Sequence, residues 1–395
     1  MTTIFLDLSR TFFRPFTGTP TGIDRVEFAY GHELILREAY GPAVSVITTP
    51  MLAGTLRKRT IKNHLLHVSS AWKSGGIRED EGDFYDTVLE AIDTPLETTR
   101  TTPLRLRRRG VRDVLLALKS PPVLELSTAR RRLTNAVRSA DGPRVYYHSS
   151  HWQLFSKTAF GWLRRAGIPV VFFLHDVIPV THPEFVERGA DKRHHRRLKT
   201  ISSTASLVIV NSDATRSAAA DYFAGQGGRV PEMVFVHLGV DEVERAEDVC
   251  RRAPATDYFV CIGTIEPRKN LIFLLNVWRE LAVRNGQATP KLVVVGRRGW
   301  ENANILALLD RSSELAPYVI EVNDLPDPGL RSLMRFSRGV LAPSHVEGFS
   351  LPVAEALSLG TPVIASDIAS HREIANGAAN LIGSVDGAGW LSAIE

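Results

Sequence analysis

The sequence predicts an α/β protein built of two doubly wound, parallel-sheet domains that face one another across a cleft. Three observations predict it. Short apolar runs alternate with amphipathic helical segments at both ends of the 395-residue chain, as expected of parallel strands covered by helices on both faces. A charged stretch without strand character, 241–256, separates the two series. Turns carrying glycine or adjacent cations follow several strands, at the carboxyl ends where ligands of such folds bind.

In chain order, Ile4 to Leu8 reads as the first strand and 23–38 as the helix after it, opening with Ile23, Val26, Glu27 and Tyr30. Val44 to Ile47 is a second short strand. The alternation then breaks down into acidic, Thr/Pro-rich and Arg-rich sequence. That stretch, about 78–138, reads as an insertion with helices at 111–119 and 123–138. Strand character returns at Arg144 to Tyr147, Pro169 to Leu174, Leu207 to Val210 and Val234 to His237. The first domain is therefore expected over 1–245 and the second over 246–395, with strands near 258–262, 291–295, 318–322, 339–342 and 362–365.

Composition narrows the function. Hydrophobic residues make up 44% of the chain, yet no apolar run approaches the roughly 20 residues of a spanning helix. The start, MTTIFLDLS, lacks a basic region and a cleavable apolar stretch, so no signal peptide is expected and a cytoplasmic protein fits. Two cysteines, Cys250 and Cys261, have no metal-ligand spacing and make no disulfide framework. A net charge of +5 favours anionic partners. The basic runs at 105–112, 130–132 and 192–199 have no interleaved aromatics, which argues against nucleic acid. They read as solvated surface, with peripheral contact to an anionic membrane as the second reading.

Two segments carry chemistry. In EGFSLPVAE (347–355), Gly348 allows a tight turn and Pro352 suits the first turn of a helix. The N–H groups of Phe349, Ser350 and Leu351 would then point outward at the positive end of a helix dipole, a site for a phosphate. Glu347 and Glu355 flank that site and can accept hydrogen bonds from sugar hydroxyls. In GTIEPRKN (263–270), Arg268 and Lys269 follow a strand and precede a helix capped by Asn270, with Leu271, Leu274, Leu275 and Trp278 on one face. Two cations there suit a diphosphate. Taken singly, the alternatives are a capped helix with solvated glutamates and a solvated turn. In the N-terminal half, the loop 10–25 contains Gly18 and Gly22, and the helix starting at Gly22 could face a phosphate. His175 and Asp176 end an apolar strand and so sit at a cleft. HSSHW (148–152) is a weaker acceptor-site candidate, with surface or packing roles the more ordinary reading.

Together these segments resemble the retaining glycosyltransferases of family 4, which have the GT-B fold of two Rossmann-like domains. The resemblance is densest over 258–375: GTIEPRKN (263–270), VVVGRRGW (293–300), APSHVEGFSLPVAEAL (342–357) and GTPVIASDIASHREI (360–374). Shorter matches precede it at PTGIDRVE (20–27), FFLHDVIPV (172–180), VNSDAT (210–215) and HLGVD (237–241). The resemblance implies transfer of a hexose, mannose favoured over the alternatives, from a nucleoside-diphosphate sugar (GDP-mannose, or a UDP- or dTDP-hexose). The acceptor would be a saccharide or lipid-linked saccharide in surface polysaccharide or glycolipid synthesis.

In this reading Arg268 and Lys269 neutralise the leaving diphosphate, Glu347 holds sugar hydroxyls, Glu355 holds the ribose, and His175 contacts the donor sugar. Gly22, Gly263, Thr264, Gly296, Arg297, Phe349, Ser350 and Leu351 complete the donor site, with the nucleobase near Gly296–Arg297 and residues 322–325. No Asp-x-Asp triplet occurs, so neither metal nor cofactor is expected. Two departures stand out. Thr264 occupies a position where many members carry a basic residue, and the chain ends at GWLSAIE (389–395), before the crossing helices of the family. A catalytically silent nucleotide-sugar-binding or scaffold protein, or a sugar-nucleotide epimerase, is the alternative.

Overall fold

A computed structural model describes residues 1–13, 20–49, 52–73, 81–95, 103–105, 126–240 and 252–395. In chain order the first strands are β1 (Thr3–Asp7), β2 (Ala43–Thr48), β3 (Ala53–Gly54), β4 (Leu104–Arg105), β5 (Arg144–His148), β6 (Val170–Leu174), β7 (Leu207–Val210) and β8 (Met233–Phe235). They are followed by β9 (Tyr258–Ile262), β10 (Lys291–Val295), β11 (Val319–Asn323), β12 (Gly339–Ala342), β13 (Val363–Ser366) and β14 (Asn380–Ile382).

The chain divides into two compact units. The first contains a sheet ordered β3-β2-β1-β5-β6-β7-β8, parallel apart from the β2–β3 pair. Its strands are apolar because helices cover both faces. Phe5, Tyr146, Phe172, Leu174 and Val208 are wholly buried beneath the helix Ala190–Thr204, which contributes Leu198 and Ile201. The sheet order reverses direction at β1, which lies between β2 and β5.

The second unit repeats the plan with β14-β13-β12-β9-β10-β11-β4, parallel throughout. Here the reversal falls at β9, between β10 and β12. The helix Leu271–Asn285 buries Leu271, Leu274, Leu275 and Trp278 against the sheet, the face its spacing predicts. Each fully buried side chain of that size contributes on the order of 2–3 kcal/mol.

The division differs from the expected boundary near 245. Of the described residues, 81–95, 103–105 and 182–188 belong to the second unit, along with 238–240 and 252–395. The helix Glu81–Asp93, expected inside an insertion of the first domain, places Val88, Leu89 and Ile92 in the second unit's core beside Val322 and Leu333. β4 pairs with β11. The helix Leu126–Ser139 remains with the first unit, where it packs against β3 so closely that a Cβ on Gly54 would lie 2.6 Å from that of Ala129. The helix expected at 111–119 and the glycine at position 18 lie outside the described residues. β14 was not expected at all. The helix expected over 23–38 is α-helical over Gly22–Gly31 and continues as a π-helical turn over His32–Leu36.

Candidate active site

The two segments singled out in the sequence follow β9 and β12, which are hydrogen-bonded neighbours at the reversal point of the second sheet. Adjacent strands bring their loops together, and three hydrogen bonds to backbone carbonyls hold them there. The amide of His345 donates to Arg268 O (3.0 Å), and Arg268 Nη1 donates to Val346 O (3.2 Å). Asn270 was expected to cap the following helix with its side chain. Instead it takes φ +53°, and Nδ2 donates to Pro343 O (3.1 Å) and Ser384 O (2.8 Å). Its role is to clamp one loop to the other.

The charged groups converge on Glu347. Arg268 Nη1 pairs with Glu347 Oε2, while Lys269 Nζ (2.5 Å) and the Ser344 hydroxyl (2.8 Å) donate to Oε1. Burial pushes the Glu347 carboxyl up, but Arg268 and Lys269 outweigh it and hold the group far below the usual carboxylate range. Glu347 is therefore a fixed anion bridging two cations. Glu266 buttresses the pair from behind: Arg268 Nη2 lies 2.6 Å from its Oε1. Burial raises the Glu266 pKa, only partly opposed by Arg268 and Lys269, and its Oε2 is buried without a partner.

The glycines have packing reasons. Gly263, at φ +145°, lies under Lys269, and a Cβ there would sit 2.8 Å from Lys269 Cε. A Cβ on Gly296 would sit 1.8 Å from Gly263 O. The bare backbones of the two loops thus stack, and the upper one supports the lysine. Thr264 lies against Gly299. Ser350 takes φ +77°, a left-handed turn that starts the helix Leu351–Ser358 three residues after Glu347, with Pro352 in its first turn. Pro352 has no N–H, the Val353 amide donates back to Ser350 O (3.2 Å) as the first turn closes, and Glu355 lies one turn along. Arg297 pairs with Asp324 (3.1 Å), in the region expected for the nucleobase. Its neighbour Arg298 is locked between Asp310 and Glu321 (2.7 Å) and is structural.

Gly22 and His175 belong to the other unit. The helix starting at Gly22 already carries an anion at its N-terminus: Thr21 and Asp24 form a capping box, and Arg10 pairs with Asp24 (2.6 Å). An open phosphate site at Gly22 is not what the structure shows there. His175 is buried and donates from Nε2 to Ser149 O (2.7 Å). Burial pushes its pKa down to about 4, against the pull of Ser149 and Asp176, so the ring is neutral. Asp176 caps the next turn by accepting from the Ile178 amide (3.1 Å).

Sequence reasoning missed the buried network at the end of β1. Asp7 accepts from Tyr146 Oη (2.6 Å), Thr48 Oγ1 (3.0 Å) and the Ser9 amide (3.0 Å), with His148 Nδ1 3.6 Å away. Of HSSHW, His148, Ser149 and Ser150 are buried and His151 and Trp152 half-buried, the packing role among those expected. The available signal was the polar residue type at the carboxyl end of each of β1 and β5. Among the described residues no cluster of three or more His, Cys, Asp or Glu could hold a metal ion, and no helix is long and apolar enough to cross a membrane.

Comparison with known proteins adds a second line. Residues 256–395 match the family described as Glycosyl transferases group 1, and residues 87–243 match Glycosyltransferase Family 4. O-antigen chain mannosyltransferase B of Escherichia coli is 28% identical over 253 residues, covering 62% of this chain and 63% of the relative. The serotype-specific mannosyltransferase WbdA of Escherichia coli is 27% identical over 232 residues, 55% of this chain and 28% of that protein. The chain thus spans less than two thirds of these curated relatives. Among solved structures, Anabaena Alr3699/HepE in complex with UDP superposes with a TM-score of 0.58 at 17% identity, over 100% of this chain and 89% of that one. Sucrose-phosphate synthase from Thermosynechococcus elongatus gives 0.57 at 16% identity, with the same coverage. These likenesses establish a shared fold.

Proposed function

The chain belongs to the glycosyltransferases of family 4 and group 1, with the GT-B fold, and from that premise we propose that it transfers a hexose, mannose favoured, from a nucleoside-diphosphate sugar to a saccharide or lipid-linked saccharide. The transfer proceeds with retention and without a metal ion, in the cytoplasm, and at the inner membrane face when the acceptor is lipid-linked. The observation that carries this reading is the convergence of Arg268, Lys269 and Glu347 beside the start of the helix Leu351–Ser358.

Breaking a bond to a leaving diphosphate requires positive charge where negative charge develops. Lys269 and Arg268, held by Glu347 and propped by Gly263, are a preorganised pair for that purpose, and the helix start adds aligned N–H dipoles. Glu347 and Glu355 supply acceptors for sugar and ribose hydroxyls. His175, fixed as a neutral ring, is assigned a hydroxyl of the donor sugar. Mannose is favoured because the two Escherichia coli relatives are mannosyltransferases by name. UDP, bound in the HepE structure, makes uridine donors the first alternative.

The test is nucleoside diphosphate release from a panel of GDP-, UDP- and dTDP-sugars with saccharide acceptors. The expected result is release from one donor, lowered at least 100-fold by Lys269→Ala. Tight binding of a donor without turnover would replace the transferase with a silent binding protein, and undiminished turnover in Lys269→Ala would refute the assigned clamp.

A further inference from the structure

The basic run 192–199 reads as surface charge, and most of it is. The helix Ala190–Thr204 leaves Lys192, Arg193, His195, Arg196 and Lys199 exposed. His194 and Arg197, three residues apart, lie instead on the face shared with Leu198 and Ile201, His194 fully buried and Arg197 half-buried.

His194 donates from Nε2 to Asp176 O (3.1 Å), which fixes its ring and leaves the buried Nδ1 without a partner. The His151 ring lies 5.5 Å from that of His194 and 5.6 Å from that of His175, with its own Nε2 buried and unpartnered. The wholly buried Ser149 hydroxyl has no partner, nor has the buried Nε of Arg197. Buried polar groups are satisfied nine times in ten or more. Four unsatisfied ones from this small neighbourhood imply something that fills it.

The surrounding charge says what kind of group. Arg10, Arg193 and Arg197 bear on this spot. Of the acids nearby, Asp24 is already taken by Arg10 and Thr21, and Asp176, which accepts from the Ile178 amide, is one negative charge set against these three cations. Arg197 has no ion pair among the described residues. The location is also one at which ligands bind: Ser149 and His151 follow β5 and Arg10 follows β1, and those two strands flank the reversal of the first sheet.

We propose that Ser149, His151, His194 and Arg197 form a subsite for a phosphoryl group carried by the acceptor. Donors from four separate side chains suit a tetrahedral oxyanion with three free oxygens better than a planar carboxylate with two. Burial and the neighbouring cations favour the neutral forms of His151 and His194. An oxyanion reverses that preference, and His194 Nδ1 becomes a donor by taking up a proton. The word acceptor rests on the transferase reading above; the phosphoryl subsite itself does not.

The experiment is titration calorimetry on the full chain, with mannose 1-phosphate, free mannose, and vesicles with and without a polyprenyl phosphate. Each is repeated in Arg197→Met, Arg197→Lys, His194→Asn and Lys269→Ala. The expected result is binding of a phosphorylated probe at least tenfold tighter than of its unphosphorylated counterpart. Binding should fall at least tenfold in Arg197→Met and His194→Asn, persist in Lys269→Ala, and partly return in Arg197→Lys. It should be tighter at pH 5.5 than at pH 8, with that difference reduced in His194→Asn. Preference for the vesicle or for the soluble sugar phosphate identifies the source of the phosphoryl group. Equal binding of phosphorylated and unphosphorylated probes, or loss in Lys269→Ala with retention in Arg197→Met, overturns the proposal. Nucleotide release by the unmodified protein without acceptor tests the transferase reading separately, so either can fail alone.

Discussion

Glu27 offers a quantitative test of how the first unit is built. It sits on the helix Gly22–Gly31, wholly buried, with Oε1 accepting the Thr11 amide (2.7 Å) and Oε2 without a hydrogen bond. Burial and then the nearby Asp7 carboxylate push its pKa from the ordinary 4.5 up to about 7, against the pull of Thr11, Ser150 and His148. The native state therefore holds this proton more tightly than the unfolded chain does. Between pH 4.5 and 7 stability falls as pH rises, and above that window the penalty is complete.

At 1.36 kcal/mol per unit the penalty is about 3 kcal/mol at pH 8. Glu27→Gln keeps the shape and the acceptor for Thr11 but cannot ionise. It should match the unmodified protein near pH 4.5 and be more stable by about 2–3 kcal/mol at pH 8. Asp7, whose pKa is lowered, loses its contribution only in acid, and His148, whose pKa is raised, loses its own toward alkali. Both remain in the variant, and because each interacts with Glu27 the difference between the two proteins reports Glu27 together with that interaction. Urea denaturation followed by circular dichroism at pH 5, 6.5 and 8 measures it. A stability difference independent of pH would refute the reasoning.

Three substitutions separate support from chemistry in the second unit. Gly296→Ala would place a Cβ 1.8 Å from Gly263 O; no rotamer relieves a backbone contact, so loss of about 3 kcal/mol or more is expected in thermal melts. Gly263→Ala meets only the flexible Lys269 side chain, at 2.8 Å, and φ +145° costs about 1–3 kcal/mol. A fold that survives with weakened diphosphate binding is the outcome to look for by calorimetry. Arg298→Met strands the buried Glu321 and should cost about 2–4 kcal/mol in urea midpoints, with the KM for donor little changed.

The sheets were legible because parallel strands buried on both faces must be apolar along their whole length, as in Tyr258 to Ile262 or Leu207 to Val210. β4 was not legible. It is two residues, Leu104 and Arg105, in Arg-rich sequence, and its place beside β11 depends on topology that no local pattern encodes. β14 is three residues at an edge, with Asn380 exposed. At the site, residue types identified Arg268, Lys269 and Glu347, but not that Glu347 bridges the two cations. That requires β9 beside β12. Asn270 misled because Asn is a good helix cap, and the preference was overridden by two carbonyls from other loops. The helix Ala190–Thr204 hid two inward polar residues inside a run of like charge. The spacing of His194, Arg197, Leu198 and Ile201 was the signal.

The clamp has a consequence that distinguishes its parts. Glu347 pairs with both Arg268 and Lys269, so a diphosphate must share cations that already have a partner. If Glu347 served only to hold those cations in place, Glu347→Gln would loosen them and weaken both binding and turnover. If instead it also grips the sugar, removing its charge should have opposite effects on the two halves of the donor. Two cations released from one anion attract the diphosphate more strongly, by about tenfold in Kd for the nucleoside diphosphate alone. Turnover of the sugar nucleotide should fall by 100-fold or more, because a neutral amide replaces the carboxylate that accepts from the sugar hydroxyls. Calorimetry with the free diphosphate and steady-state rates with the intact donor read the two effects separately. Parallel weakening of both would reduce Glu347 to a structural anion and leave the sugar without an assigned partner in the second unit.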